Sequence, residues 1–181
     1  MSERLPEARE TVSEKSMTST DVVDLYAGLE KIGIKIWIDG GWSVDALLGE
    51  KTRSHGDLDI AIQYKDLAKF REFLESQGYK EVERDEDKKW NFVLGDDKGH
   101  EIDVHAFTFN ENGYVIEETE YPDGSLRGIG VIDGHTVRCI DAEHLVRFHT
   151  RHEPKDKDYK DVAALCEKFG IEYPEGYVHL K

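Results

Sequence analysis

Apolar residues at helical spacing mark the first predicted element. Val22, Val23, Leu25, Tyr26 and Leu29 share one face of a helix from about Thr20 to Lys31, capped by Ser19 or Thr20 and stopped at Gly33. The period then changes from helical to alternating: Ile34, Ile36 and Ile38 predict a strand. Gly40 and Gly41 break the chain, and Trp42 to Leu48 predicts a short helix. A strand is expected over Leu58 to Gln63, and an amphipathic helix over Asp66 to Gln77, stopped at Gly78. Trp90 to Leu94 and Ile102 to Phe109 read as strands joined by a turn over 95–99. Gly128 to Ile132 and Thr136 to Ile140 read as a hairpin across Asp133 and Gly134. Asp141 is placed to cap a helix running to about Thr150, and a last helix spans Lys157 to Phe169. Residues 1–17 carry no apolar periodicity and are expected to form a disordered extension. Helices interleaved with a mixed sheet give an α/β or α+β class.

The 181 residues suit one domain with a real core. The charged share of 35% against 38% apolar gives a globular chain with a heavily charged surface. No apolar run reaches the roughly 18 residues of a membrane span, and the polar start does not read as a secretory signal. Cys139 and Cys166 form neither a disulfide framework nor a metal-ligand pattern, so a reducing cytoplasm is expected. The net charge of −15 argues against a stable complex with nucleic acid, whose binding needs a basic face. It is compatible with a cationic small molecule drawn to an acidic cleft.

The informative chemistry lies in Gly40-Gly41-Trp42-Ser43 and in Asp57-Leu58-Asp59-Ile60. Alternate side chains of a strand face one way, so Asp57 and Asp59 share a face while Leu58 and Ile60 point to the core. Two adjacent carboxylates repel unless a cation sits between them. Mg²⁺ suits such a pair, because it takes one or two carboxylates and keeps its other positions for water and substrate phosphates. Glu101, Asp103 and His105 share the polar face of a second alternating strand. If that strand neighbours the first, Asp103 completes a metal site or acts as general base. Gly40 and Gly41 carry no side chain, so backbone and helix N-terminus can approach a triphosphate, with Ser43 adding a hydroxyl. A Walker loop is excluded, since no Gly-Lys-Ser/Thr follows.

These motifs resemble the DNA polymerase β-type nucleotidyltransferase superfamily. The closer resemblance is to small antibiotic nucleotidyltransferases, the lincosamide and aminoglycoside 2''-adenylyltransferase-like proteins. It is carried by Trp37 to Gly49, by Arg53 to Ile60 and by the helix from Lys157 to Leu165, and spans roughly Asp21 to Leu165. It implies an α+β minimal nucleotidyltransferase fold over 18–140, a mixed β-sheet flanked by helices, with a C-terminal helical segment over 141–181. It implies that Asp57 and Asp59 ligate Mg²⁺, two ions being expected, with Asp103 as third carboxylate and base. Gly41 and Ser43 would hold the nucleoside triphosphate with Arg53 and His55 nearby, and Lys157 and Lys160 could reach the phosphates. Trp37, Asp39, Trp42 and Asp45 match positions around the cleft. Asp39 and Asp45 fit capping or buried hydrogen bonding as well as acceptor binding, and the tryptophans fit core packing as well as base stacking. His105 stands beside Asp103, where it could orient an acceptor.

The expected reaction is transfer of a nucleoside monophosphate to a hydroxyl of a small acceptor, a lincosamide or an aminoglycoside. The alternatives are a toxin-type enzyme modifying protein or RNA, and a non-catalytic nucleotide-binding module. Larger antibiotic-modifying relatives carry a longer helical C-terminal domain, whereas this chain has only about 40 residues after Ile140. Acceptor recognition is therefore expected to use loops, a partner subunit in a homodimer, or both.

Overall fold

In the computed structural model, which describes residues 16–84, 90–113, 121–177 and 179, five helices accompany one seven-stranded sheet. The helices are α1 (Ser19–Lys31), α2 (Gly40–Leu48), α3 (Leu67–Ser76), α4 (Ala142–His149) and α5 (Asp156–Phe169). The strands are β1 (Ile36–Ile38), β2 (Leu58–Gln63), β3 (Lys80–Val82), β4 (Asn91–Gly95), β5 (Glu101–Phe107), β6 (Gly128–Ile132) and β7 (His135–Cys139). Their spatial order is β3-β4-β5-β2-β1-β7-β6, with β2 parallel to β5, β1 parallel to β7 and the other pairs antiparallel. The mixed α+β architecture expected from the sequence is present.

Both faces of the central strands are covered, which is why β1 is buried at all three positions and carries no polar residue. On one face Ile36, Ile38, Ile60 and Ile62 pack with Val22 and Leu29 of α1 and Phe70 and Leu74 of α3. On the other, Trp37, Ala61 and Phe107 pack with Leu145 and Val146 of α4 and Val162 and Leu165 of α5. Fully burying such side chains stabilises the fold by about 1.5–3 kcal/mol each. The period-2 alternation therefore sends Asp59, two residues before Ala61, and Asp103, four before Phe107, toward the face that α4 and α5 cover.

Several local expectations change. The cap of α1 is Thr18, not Ser19 or Thr20: its hydroxyl accepts from Asp21 N while the Asp21 carboxylate accepts from Thr18 N at 2.8 Å. That reciprocal pair satisfies two helix donors at once. Met17, assigned to the extension, is fully buried in the core; residues 1–15 lie outside the described residues. Gly40 and Gly41 do not interrupt the chain but form the first turn of α2, because Asp39 caps it through Gly40 N at 2.7 Å. Strand β3, three residues of Lys, Glu and Val on the sheet edge, has too short an alternation to be foreseen. The Asp133-Gly134 hairpin forms as expected, with φ of 47° and 78° at the two turn residues. Cys139 and Cys166 are buried free thiols. No helix among the described residues is long and apolar enough to cross a membrane.

Candidate functional site

Adjacent parallel strands bring the acidic groups together. In the β2–β5 register Asp59 pairs with Asp103 and Ala61 with His105, so the two carboxylates stand side by side on the same face. Among the described residues one group offers metal-type ligands: atoms of Asp59, Asp103 and His105 lie within 4.8 Å of one another. His105 Nε2 stands 3.4 Å from Asp103 Oδ1. Asp57 precedes the strand, is exposed, and lies outside this trio, while His105, expected only to orient an acceptor, lies within it. Asp57 is nonetheless close enough to act on Asp59 electrostatically.

Burial pushes the Asp59 carboxyl up to about 8, with the negative charges of Asp57, Asp39 and Asp103 adding to the effect and His105 opposing it. A carboxylate cluster that cannot hold its own charges is what a hard divalent cation relieves. The two carboxylates fit a hard divalent cation, for which the imidazole beside them is not a required ligand.

The N-terminus of α2 closes against this cluster. Asp39 N donates to Asp59 O at 2.9 Å, fixing helix start to strand. Asp39 Oδ1 caps Gly40 N, and Tyr121 Oη donates to Asp39 Oδ2 at 2.8 Å. Asp39 is thus a cap and an acceptor for Tyr121, which no local motif marks. Gly40 has φ +56°, and a Cβ there would overlap the Asp59 carboxylate; a Cβ on Gly41 would overlap the His55 imidazole and the Arg53 guanidinium. The glycines are required by close approach, not as chain breakers. Gly40→Ala is expected to cut turnover by on the order of 10²-fold, the scale of an ångström misplacement at a reacting centre, while leaving the far-ultraviolet circular dichroism spectrum unchanged.

A cleft of about 480 Å³ lies between the start of α2, the loop before β2 and the start of α5. Gly40, Gly41, Asp57 and Asp59 line one side; Arg53, His55 and Lys157 bring positive or protonatable groups, as do His149, His152 and Lys155, to which the sequence assigned no chemistry. Behind them stand buried carboxylates. Asp45, 3% exposed, binds His55 Nε2 at 2.5 Å and accepts from Thr52 N and Oγ1. Burial opposes ionisation of Asp45, but the His55 and Thr52 hydrogen bonds outweigh it and hold the carboxyl below the ordinary range. Asp158, 1% exposed, accepts from Lys155 N at 2.8 Å and meets His149 Nδ1 at 3.0 Å; these bonds overcome burial and hold it low as well. Asp161, 3% exposed, accepts from Arg53 Nη2 at 2.9 Å.

Among the expected positions, Asp39, Asp103 and His105 adjoin Asp59 without lining the cleft, and Ser43, Trp42, Asp45 and Lys160 do not line it either. Ser43 is fully buried and its hydroxyl donates to Ile140 O at 3.3 Å, so it turns away from any phosphate. Trp42 is a core residue whose ring lies tilted against His55 at 4.6 Å between centroids, and the buried Asp45 is committed to His55. Lys160 is exposed on α5 but does not line the cleft, whereas Lys157, one turn earlier, does. Trp37 packs edge-on to Phe107 at 5.3 Å, and its indole N–H donates to Leu126 O. The buried Asp158 and Asp161 went unnoticed beside the lysines. The legible signal was their spacing: 158, 161, 162, 165 and 166 form one helical face, and all five are buried.

A family model described as aminoglycoside-2''-adenylyltransferase matches residues 21–165. The chain belongs to that family. As a member of the aminoglycoside-2''-adenylyltransferase family it is a nucleotidyltransferase, with a nucleoside triphosphate as co-substrate. It is 27% identical over 164 residues to a lincosamide resistance protein of Staphylococcus haemolyticus, covering 80% of this chain and 89% of that one. It is 29% identical over 129 residues to a 2''-aminoglycoside nucleotidyltransferase of Klebsiella pneumoniae, covering 70% of each. The lincomycin-bound structure of the lincosamide antibiotic adenylyltransferase LnuA shares the fold, with a TM-score of 0.73 at 23% identity over 87% of this chain and 99% of that one. The structure of ANT(2")-Ia with adenylyl-2"-tobramycin aligns with a TM-score of 0.71 at 25% identity, over 84% of this chain and 89% of the other.

Proposed function

We propose that this nucleotidyltransferase moves a nucleoside monophosphate from a Mg²⁺-bound nucleoside triphosphate to a hydroxyl of a small antibiotic, a lincosamide or an aminoglycoside. The observation that carries the proposal is the side-by-side placement of Asp59 and Asp103, with Asp57 near Asp59, where Asp57 and Asp59 line a cleft that also holds cationic side chains. The relatives named for lincosamide resistance and 2''-aminoglycoside transfer support the acceptor class. Asp57, Asp59 and Asp103 would hold the metal; His105 is near enough to join them. When bound, the ion offsets the charge of the triphosphate and of the carboxylate cluster, lowering the barrier to attack at phosphorus.

The chain's own groups account for the rest. Asp103 takes the proton from the acceptor hydroxyl. The hydroxyl oxygen forms a bond to the α-phosphorus, the bond from that phosphorus to the bridging oxygen breaks, and pyrophosphate departs with the electron pair. Arg53, His55 and Lys157 hold the β- and γ-phosphates, and the α2 N-terminus, open at Gly40 and Gly41, receives them with its dipole. The net charge of −15 favours a cationic acceptor by steering. Incubation with Mg²⁺, each nucleoside triphosphate in turn and a panel of lincosamides and aminoglycosides should release pyrophosphate with at least one pair, and Asp57→Asn should abolish it. Silence across the panel, with label from the nucleotide appearing instead on protein or RNA in a lysate, would contradict the acceptor class.

A further inference from the structure

We infer that Asp161 is a positioning residue for the transfer, acting through Arg53. The inference rests on the proposal that the cleft holds the triphosphate. Asp161 lies on the buried face of α5 between Asp158 and Leu165, and its carboxylate is 3% exposed. It accepts a hydrogen bond from Arg53 Nη2 at 2.9 Å, across 108 positions of sequence. Arg53 itself is 26% exposed and lines the cleft. The same Nη2 packs so closely on the first turn of α2 that a Cβ at Gly41 would overlap it. Arg53 is therefore held at Nη2 between the α2 turn and a carboxylate anchored in the core, and at Nη1 by Ser54 O at 3.4 Å.

A guanidinium is a planar fork whose value lies in orientation. With Nη2 committed to Asp161 and Nη1 donating to Ser54 O, the plane is fixed before substrate arrives, and the guanidinium meets the leaving phosphates without a search through rotamers. Two effects compete when Asp161 is neutralised. Removing a buried negative charge from behind Arg53 strengthens general attraction for an anion, while losing the anchor lets the fork swing. The first acts on the bound triphosphate and on the transition state alike. The second weighs most in the transition state, where charge moves onto the departing pyrophosphate and alignment decides the rate. The two effects therefore separate in kcat and KM.

The test compares the full chain with Asp161→Asn, Arg53→Gln and the double variant, using pyrophosphate release with the antibiotic acceptor that the wild type turns over. Asp161→Asn should lower kcat about tenfold, less than the ~10²-fold of an ångström displacement, with the KM for nucleotide changed by less than threefold. On the Arg53→Gln background Asp161→Asn should cost nothing further, since it acts through the missing group. A kcat within twofold of wild type, or multiplicative losses in the double variant, would overturn the assignment. A wild type that turns over no acceptor sinks the functional proposal itself, and this inference with it. A second measurement needs neither turnover nor a folded variant: in ¹⁵N spectra of the wild-type chain, the Arg53 Nη groups should rotate slowly and give resolved signals. Signals averaged as in a freely rotating surface arginine would also overturn it.

Discussion

Asp59→Asn is expected to abolish turnover and at the same time to raise the melting temperature of the metal-free chain. The loss should be on the order of 10³-fold or more, because a ligand of the phosphoryl-transfer site and part of its charge balance go together. The gain follows from the carboxylate cluster. Asp59 is held at about 8 in the folded chain against an ordinary 3.8, by burial and by Asp57, Asp39 and Asp103. Between those values the folded chain keeps a proton that the unfolded chain has released, so stability falls as pH rises, and the penalty is complete above about 8. Asparagine carries no such charge. The group is only partly buried, so solvent screens much of the effect. A gain of about 1 kcal/mol, or roughly 2–4 °C, is expected for a chain of this size. Thermal unfolding in chelator at pH 6 and pH 8.5 reads it directly: the variant's advantage should be larger at the higher pH. An Asn variant no more stable than wild type at either pH would show that the carboxylates are not crowded.

Asp45→Ala should be the most destabilising single change in the site. It leaves His55, 3% exposed, facing an empty buried position, and takes the acceptor from both Thr52 N and Thr52 Oγ1. Breaking one side of a buried pair costs about 3–5 kcal/mol, which corresponds to a fall of roughly 10 °C. Asp45 is held below its ordinary 3.8, so its contribution is complete above that pH and disappears as pH falls through the lower folded value. The gap between wild type and Asp45→Ala should therefore be wide at pH 7 and narrow near pH 3 in melts followed by circular dichroism. Nucleotide affinity should drop too, since His55 packs against the Gly41 turn.

Two kinds of information in the site differ in how far the chain alone displays them. The face-sharing of Asp59 and of Asp103 with His105 was legible because period-2 alternation fixes it within each strand. That the two strands are neighbours in parallel register was not, because Asp59↔Asp103 pairing depends on a crossover through α3, β3 and β4. Gly40 and Gly41 were identified, but for the wrong local reason: low helix propensity suggested a break, whereas capping by Asp39 and contact with Asp59, Arg53 and His55 put them inside a helix. Ser43 next to a glycine turn suggests a phosphate ligand, yet its place one turn into α2 points its hydroxyl at Ile140 O. Asp158 and Asp161 were hidden among the charges of a helix whose exposed lysines drew attention. Only their agreement with Val162 and Leu165 in helical phase marks them as buried. Tyr121 had no local signal, because its role exists only through Asp39, 82 positions away.

Asp59 and Asp103, with Asp57 beside them, are proposed as the seat of a divalent ion on which the triphosphate rests. Calorimetry with a non-hydrolysable nucleoside triphosphate analogue, in Mg²⁺ and in chelator, tests it most directly. Binding should be at least tenfold tighter in Mg²⁺ for the wild type, and that dependence should vanish in Asp59→Asn and Asp103→Asn. Equal affinity with and without the ion in the wild type, or full metal dependence in both variants, would contradict the account.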